Sequence, residues 1–320
     1  MLTPQDFIHL PYTPDLTQAG IQYACRSLPY TYNRMRISDP DRLRRIVAGI
    51  GVELAFRRWL SEENIPFDTL GATPFTQPDH YDIAINGQRI DIKSAVFNHR
   101  KRIQALRENP AQLLGAQALI PVDQLLSEHY SDRDIYVFAF VNALFATNHA
   151  DSEKAVAAGK PVYWMYALPE TWSHTAQWQS LGELALKCDT SSAVQVDLGG
   201  QGAGRAFLGE TITLAPRRRT TAEQNFYRLA YVHTPTLPDG PVGLHSPTLK
   251  QTLLIQPEQW SNIWVYGIEI YYTGYMTRRE FRQKSQKLVA GSKVFQYDRT
   301  RTDNFALPVG QLRPLRQLFK

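Results

Sequence analysis

The stretch that decides the reading is Gln77-Pro78-Asp79-His80-Tyr81-Asp82-Ile83-Ala84-Ile85-Asn86-Gly87-Gln88-Arg89-Ile90-Asp91-Ile92-Lys93. Two runs with strand-like alternation, Tyr81 to Ile85 and Gln88 to Lys93, flank Asn86-Gly87. That dipeptide is the preferred centre of a two-residue type I′ turn, because both positions need positive φ. Counting outward from the turn sets Ile85 opposite Gln88, Ala84 opposite Arg89, Ile83 opposite Ile90 and Asp82 opposite Asp91.

Directly opposed residues share a face, and so do residues two apart on one strand. Asp82, Asp91 and Lys93 therefore stand together, while Ile83, Ile85, Ile90 and Ile92 point the other way into a core. Like charges set opposite each other destabilise a sheet. A cation between them removes that cost, and a hard, oxygen-seeking metal ion is the natural one. The competing reading is a solvated face on which Asp91 and Lys93 offset each other. The in-register Asp82 and a further carboxylate upstream favour the metal site.

Outward from the hairpin, Ser38-Asp39-Pro40-Asp41 supplies a helix cap, an early proline and early acidic charge. Leu43, Ile46, Ile50, Leu54 and Ala55 then recur at helical spacing, with Leu60 before the break at Asn64-Ile65-Pro66. Glu53 lies in this apolar span. Arg57 could pair with it at i,i+4, or the carboxylate could aim at the Asp82/Asp91 pair.

A helix with Glu53, a strand with Asp82 and a strand reading Asp91-x-Lys93 together resemble the PD-(D/E)XK nuclease superfamily. The resemblance covers roughly residues 42 to 145, with Asp79 as an alternative to Asp82. It implies a restriction-endonuclease-like α/β (α+β) core, a mixed central sheet flanked by helices. It implies Glu53, Asp82, Asp91 and Lys93 as the catalytic set. Mg²⁺, with Mn²⁺ able to substitute, would be held by Asp82, Asp91, the carbonyl of Ile92 and Glu53. The reaction implied is metal-dependent cleavage of DNA, in defence against foreign DNA. An RNA-directed nuclease, a ligand-activated one and a non-catalytic nucleic-acid-binding protein remain alternatives, and a homodimer is compatible.

The chain of 320 residues is large for one simple domain, with 43% hydrophobic and 20% charged residues. One core with a sizeable insertion, or two domains, is expected. A net charge of +5 and a pI near 9.1 are compatible with a polyanionic partner. With only Cys25 and Cys188, no disulfide framework or structural zinc site is suggested. No apolar run reaches membrane-spanning length, and Met-Leu-Thr-Pro-Gln-Asp carries no signal pattern. A soluble, cytoplasmic protein without membrane contact is expected.

The remaining segments divide as follows. Residues 1–145 are expected to hold the nuclease core with an N-terminal arm, including an aromatic and basic stretch from Tyr30 to Arg36 and a short helix over Leu16 to Ser27. A helix should begin at Pro121 and end near Tyr130, and Ile135 to Val141 reads as a strand buried on both faces. Residues 146–255 contain short strand-like runs between turns and suggest an inserted β-rich, sandwich-like domain. Gly199 to Gly204 reads there as a turn, since no Gly-Lys-Ser/Thr follows. Residues 256–320 return to the core with a long strand from Asn262 to Met276 and a basic helix begun by Thr277-x-x-Glu280. The Trp164 to Trp172 segment has a similar strand-then-helix form, so the reverse order is also open. Arg100, Lys101, Arg102, Arg278, Arg279 and Arg282 are the candidate nucleic-acid contacts.

Overall fold

The computed structural model describes residues 2–31, 37–73, 80–128 and 130–319. Asp79 and most of the Tyr30–Arg36 stretch lie outside the described residues. The chain opens with β1 (Ile8–Pro11), α1 (Pro14–Ser27), α2 (Asp39–Glu62), β2 (Ile83–Ile85), β3 (Gln88–Phe97) and α3 (Arg100–Glu108). It continues with β4 (Gln117–Pro121), α4 (Val122–Leu125), β5 (Ile135–Phe145), α5 (His149–Ala157), β6 (Trp164–Ala167) and α6 (Glu170–Ser173). Then come β7 (Ala185–Cys188), β8 (Val194–Gln201), β9 (Phe207–Leu214), β10 (Arg219–Thr221), β11 (Arg228–Thr234), β12 (Val242–Ser246) and β13 (Gln251–Ile255). The last elements are β14 (Ser261–Asn262), β15 (Val265–Thr277), α7 (Arg278–Lys284), β16 (Gln286–Leu288) and β17 (Asn304–Pro308).

The protein is thus mixed α/β, and it divides into two units. One comprises Met1–Gly20, Ile46–Leu144 and Val265–Lys320; the other comprises Ile21–Arg45 and Phe145–Trp264. The Phe145–Trp264 segment begins where the insertion was expected to begin, but residues 256–264, expected in the returning core segment, and residues 21–45, expected with the N-terminal core, both belong to the second unit. Among the described residues no helix is long and apolar enough to cross a membrane.

In the first unit a mixed sheet has the order β1-β15-β5-β3-β2. β3 runs parallel to β5 and antiparallel to β2. Every residue from Ile135 to Val141 is buried, as a strand covered on both faces requires. Strand alternation sorts the sheet's side chains between two layers. Tyr136, Phe138 and Phe140 enter a core with Leu106, Leu113, Phe281 and Leu307. On the other face Tyr272 meets Phe56 of α2 with ring centroids 5.0 Å apart, and its hydroxyl donates to the Val52 carbonyl at 2.6 Å. A separate small sheet of order β16-β17-β4 completes this unit.

The helix expected from Pro121 to Tyr130 is confined to Val122–Leu125. The reason is a buried cation. Arg278, only 5% exposed, donates from Nε and Nη2 to the Leu125 carbonyl at 3.1 and 2.7 Å and also reaches the carbonyls of Ser127 and Tyr130. Those carbonyls serve the guanidinium, and the chain turns away from a helix.

The second unit has two sheets, β10-β7-β12-β13 and β14-β6-β11-β8-β9. One core draws on both, including Leu186 and Leu244 from the first and Trp164, Val196 and Val232 from the second. The glycine-rich segment is not wholly a turn, because Gly199 and Gly200 lie within β8. A Cβ on Gly199 would sit 2.1 Å from the Tyr231 ring, and one on Gly200 would sit 2.0 Å from the Arg228 carbonyl oxygen. Close approach of β11, where the register shifts between Leu229 and Tyr231, is what these glycines permit.

His233 Nδ1 lies 2.6 Å from Asp197 Oδ2, and the imidazole stacks on Tyr163 with centroids 3.5 Å apart. Burial pushes the Asp197 carboxyl up, but bonds from His233 and Thr211 outweigh it and hold it below the usual range. A depressed carboxylate stabilises the fold above its unfolded pKa, about 3.9, and loses that contribution as pH falls through the folded value. Asp197→Asn should therefore flatten the acid limb of the stability curve below about pH 4. Urea melts across that range check this; an unchanged acid limb would show that the pair contributes nothing.

Candidate functional site

The hairpin forms in the register counted from its turn. Ile83 pairs with Ile90, Ala84 with Arg89 and Ile85 with Gln88. Asn86 and Gly87 have φ of 51° and 73°, as a type I′ turn demands. A Cβ on Gly87 would touch nothing within 4 Å, so Gly87→Ala isolates the backbone cost. It should destabilise the protein by about 1 kcal/mol, the penalty of the left-handed region, read as a lower urea midpoint at constant slope. Ile83, Ile85, Ile90 and Ile92 are all buried.

Asp82 lies just before β2. Its N–H donates to the Ile90 carbonyl at 3.1 Å, and its Oδ2 accepts the Ile92 N–H at 2.6 Å. Across from it, Asp91 Oδ2 accepts from Lys93 Nζ at 2.6 Å. Three of the expected residues therefore meet. Burial, and next the Asp91 charge, push the Asp82 carboxyl up to about 7, against the pull of the Ile92 amide, Lys93 and Arg57. Burial pulls the Lys93 ammonium down, but Asp91 and then Asp82 outweigh it and raise it above the ordinary lysine range. With these partners Lys93 is a fixed positive charge.

Neighbouring strands add residues that the motif does not contain. Asp91 pairs in register with Tyr136 of β5, whose ring centroid is 5.8 Å from Lys93 Nζ. The Tyr136 hydroxyl is buried and, among the described residues, has no hydrogen-bond partner. Burial, then Asp91, also raises the phenol of Tyr130. The second residue of an apolar strand carries no sequence signal for such a position except its register with Asp91. Arg89 grips Asp134 through two bonds, Nε–Oδ1 at 2.8 Å and Nη2–Oδ2 at 2.7 Å, and ties the start of β5 to the hairpin.

Glu53 is placed differently. Its helix, α2, packs on the Tyr272 face, whereas Asp91 and Lys93 share the Tyr136 face. Arg57 lies 3.9 Å from the Glu53 carboxylate and donates to the Asp82 carbonyl at 2.9 Å, so an arginine stands between the helix and the hairpin. Among the described residues no three Asp, Glu, His or Cys side chains form a metal-holding group. Glu53 is thus not brought to Asp82 and Asp91 as a third side-chain ligand.

The remaining two donors fit a hard cation. The Asp82 carboxyl, raised first by burial and next by the Asp91 charge, would be relieved by a cation between the two. In an antiparallel strand one residue turns its N–H and C=O toward the same neighbour. The Ile92 N–H is spent on Asp82, so the Ile92 carbonyl faces that side too, beyond the end of β2.

The basic residues separate by burial. Arg100 and Lys101, at the start of α3, and Arg279 and Arg282 on α7 are exposed, with Arg282 3.4 Å from Asp132. Arg102 is half-buried with its guanidinium 5.6 Å from the Phe295 ring centroid. Arg278 is the correction: expected as a nucleic-acid contact, it is sequestered by backbone carbonyls. A cavity of about 40 Å³ borders Lys93 and Gln117, and a groove of about 580 Å³ borders Gln117, Arg102 and Lys293.

Comparison with protein-family models, curated proteins and solved structures finds no match for this chain.

Proposed function

We propose that the chain is a metal-dependent endonuclease that hydrolyses DNA phosphodiester bonds on a restriction-endonuclease-like core. The observation that carries this reading is the meeting of three side chains at the hairpin: Asp82 Oδ2 on the Ile92 N–H, and Asp91, whose charge Asp82 feels, held by Lys93 at 2.6 Å. Asp82, Asp91 and the Ile92 carbonyl would hold Mg²⁺, or Mn²⁺ in its place, and Glu53 would contribute through an intervening water. When bound, the ion supplies Lewis-acid polarisation of the phosphoryl group and a more acidic water.

The chain's own residues do the rest. Lys93, kept cationic by Asp91, neutralises charge building on the phosphoryl oxygens and orients the attacking water. Acting as a fixed charge, it needs no depressed pKa. Tyr136, whose hydroxyl has no partner among the described residues and whose strand position pairs with Asp91, can hold that water by a hydrogen bond. Arg100, Lys101, Arg102, Arg279 and Arg282 supply cations for the flanking phosphates.

Supercoiled plasmid, linear duplex, single-stranded DNA and RNA, each with Mg²⁺, Mn²⁺ or EDTA, test the reading. Cutting of DNA that stops in EDTA is expected. Cutting confined to RNA would replace the substrate, and a folded protein that leaves every substrate intact with either metal would overturn the assignment.

A further inference from the structure

The second unit carries a groove that plays no part in the hairpin site. Strand register sets Arg219 of β10 opposite Lys187 of β7, Lys187 opposite Gly243 of β12, and Gly243 opposite Leu254 of β13. These four form one row on one face of the sheet. Their chain neighbours Leu186, Cys188, Val242, Leu244 and Ile255 fill the core on the other face. Lys187 and Arg219 are exposed, and Leu254 is 57% exposed. The row lines a groove of about 660 Å³, within the range of small-molecule sites, roughly 300–1,000 Å³.

Two features distinguish this row from an ordinary solvated face. Like charges directly opposite each other are unfavourable, and among the described residues neither Lys187 nor Arg219 has an ion-pair partner. Nearby Arg217, by contrast, is paired with Asp189 at 3.0 Å. The second feature is the floor. Gly243 leaves it bare, since a Cβ there would have its nearest neighbour, the Lys187 carbonyl oxygen, at 3.6 Å. Two adjacent cations beside an open apolar floor suit a ligand with a compact dianion at one end and a flat ring at the other. A simple anion needs no such floor, and an acidic peptide spreads its carboxylates instead of concentrating charge between two neighbouring side chains.

We infer that this groove binds a nucleoside phosphate, with the phosphate between Lys187 and Arg219 and the ring over Gly243 against Leu254. The phosphate can belong to a free nucleotide or to a nucleic-acid strand. Binding to the full chain in EDTA separates the two sources while keeping hydrolysis out of the measurement. The probes are the four ribonucleoside 5′-monophosphates, the matching nucleosides, inorganic phosphate and a short fluorescein-labelled DNA strand. A Lys187→Gln/Arg219→Gln variant should bind monophosphates at least about tenfold more weakly, because the charge-assisted bonds are lost. Gly243→Val should lose the monophosphates but keep inorganic phosphate. Its side chain has room and suits a strand, so its melting should match wild type. Monophosphate binding with no strand binding that Lys187→Gln/Arg219→Gln loses assigns a free nucleotide, and strand binding lost in that variant without monophosphate binding assigns a strand. Nucleosides bound as tightly as their phosphates, binding unchanged in both variants, or no binding by wild type would overturn the inference. None of these outcomes depends on the hairpin site being a nuclease.

Discussion

Asp91→Ala and Lys93→Ala will each lower Mg²⁺-dependent DNA cleavage by about 10²–10³-fold or more, the scale of removing one preorganised electrostatic group from a reacting centre. The two residues hold each other at 2.6 Å, so each substitution removes a charge and also frees the partner. Breaking one side of a partly buried pair also costs stability. Thermal melts must therefore accompany the rates, and Lys93→Met, which keeps the packing of the stem, is the cleaner variant. Glu53→Gln discriminates further. A carboxylate acting through water with Arg57 between it and the hairpin should cost less than Asp91, whereas an equal loss would show that substrate and metal draw Glu53 directly into the site. Full cleavage by a folded Lys93→Met would sink the mechanism proposed for this face.

Arg278→Ala will destabilise the first unit by about 3 kcal/mol. The truncation strands the carbonyls of Leu125, Ser127 and Tyr130, which are all supplied by one guanidinium. It also loosens the loop that carries Asp134, the partner of Arg89, and Tyr130, a neighbour of Asp91. Arg279→Ala, next in the chain and exposed, should change stability by no more than about 0.5 kcal/mol. Urea midpoints of the two variants decide the matter. An Arg278 variant that melts like wild type but has lost DNA affinity would return this residue to the nucleic-acid surface.

Much of the hairpin was legible because its information is local. Asn86-Gly87 specifies the turn, the turn specifies the register, and a period of two assigns Ile83, Ile90 and Ile92 to one face and Asp91 and Lys93 to the other. The helix over Asp39–Glu62, the buried strand at Ile135 and the Thr277 cap, whose hydroxyl accepts the Glu280 N–H at 3.3 Å, were legible for the same reason. The elements hardest to foresee were those formed by distant pairing. β4 pairs with β17, and the helix expected after Pro121 stops where Arg278 claims its carbonyls.

By itself, then, the sequence determined which residues oppose each other across a tight turn and which stretches are helical or buried, because those properties follow from backbone sterics and short periodicities. Tertiary structure alone decided that α2 packs on the face away from Asp91 and Lys93, that Tyr136 lies beside them, and that of two adjacent arginines Arg278 is buried and Arg279 is exposed. The physical reason is that a side chain's charge is written in the sequence, whereas its solvation depends on which distant backbone closes over it.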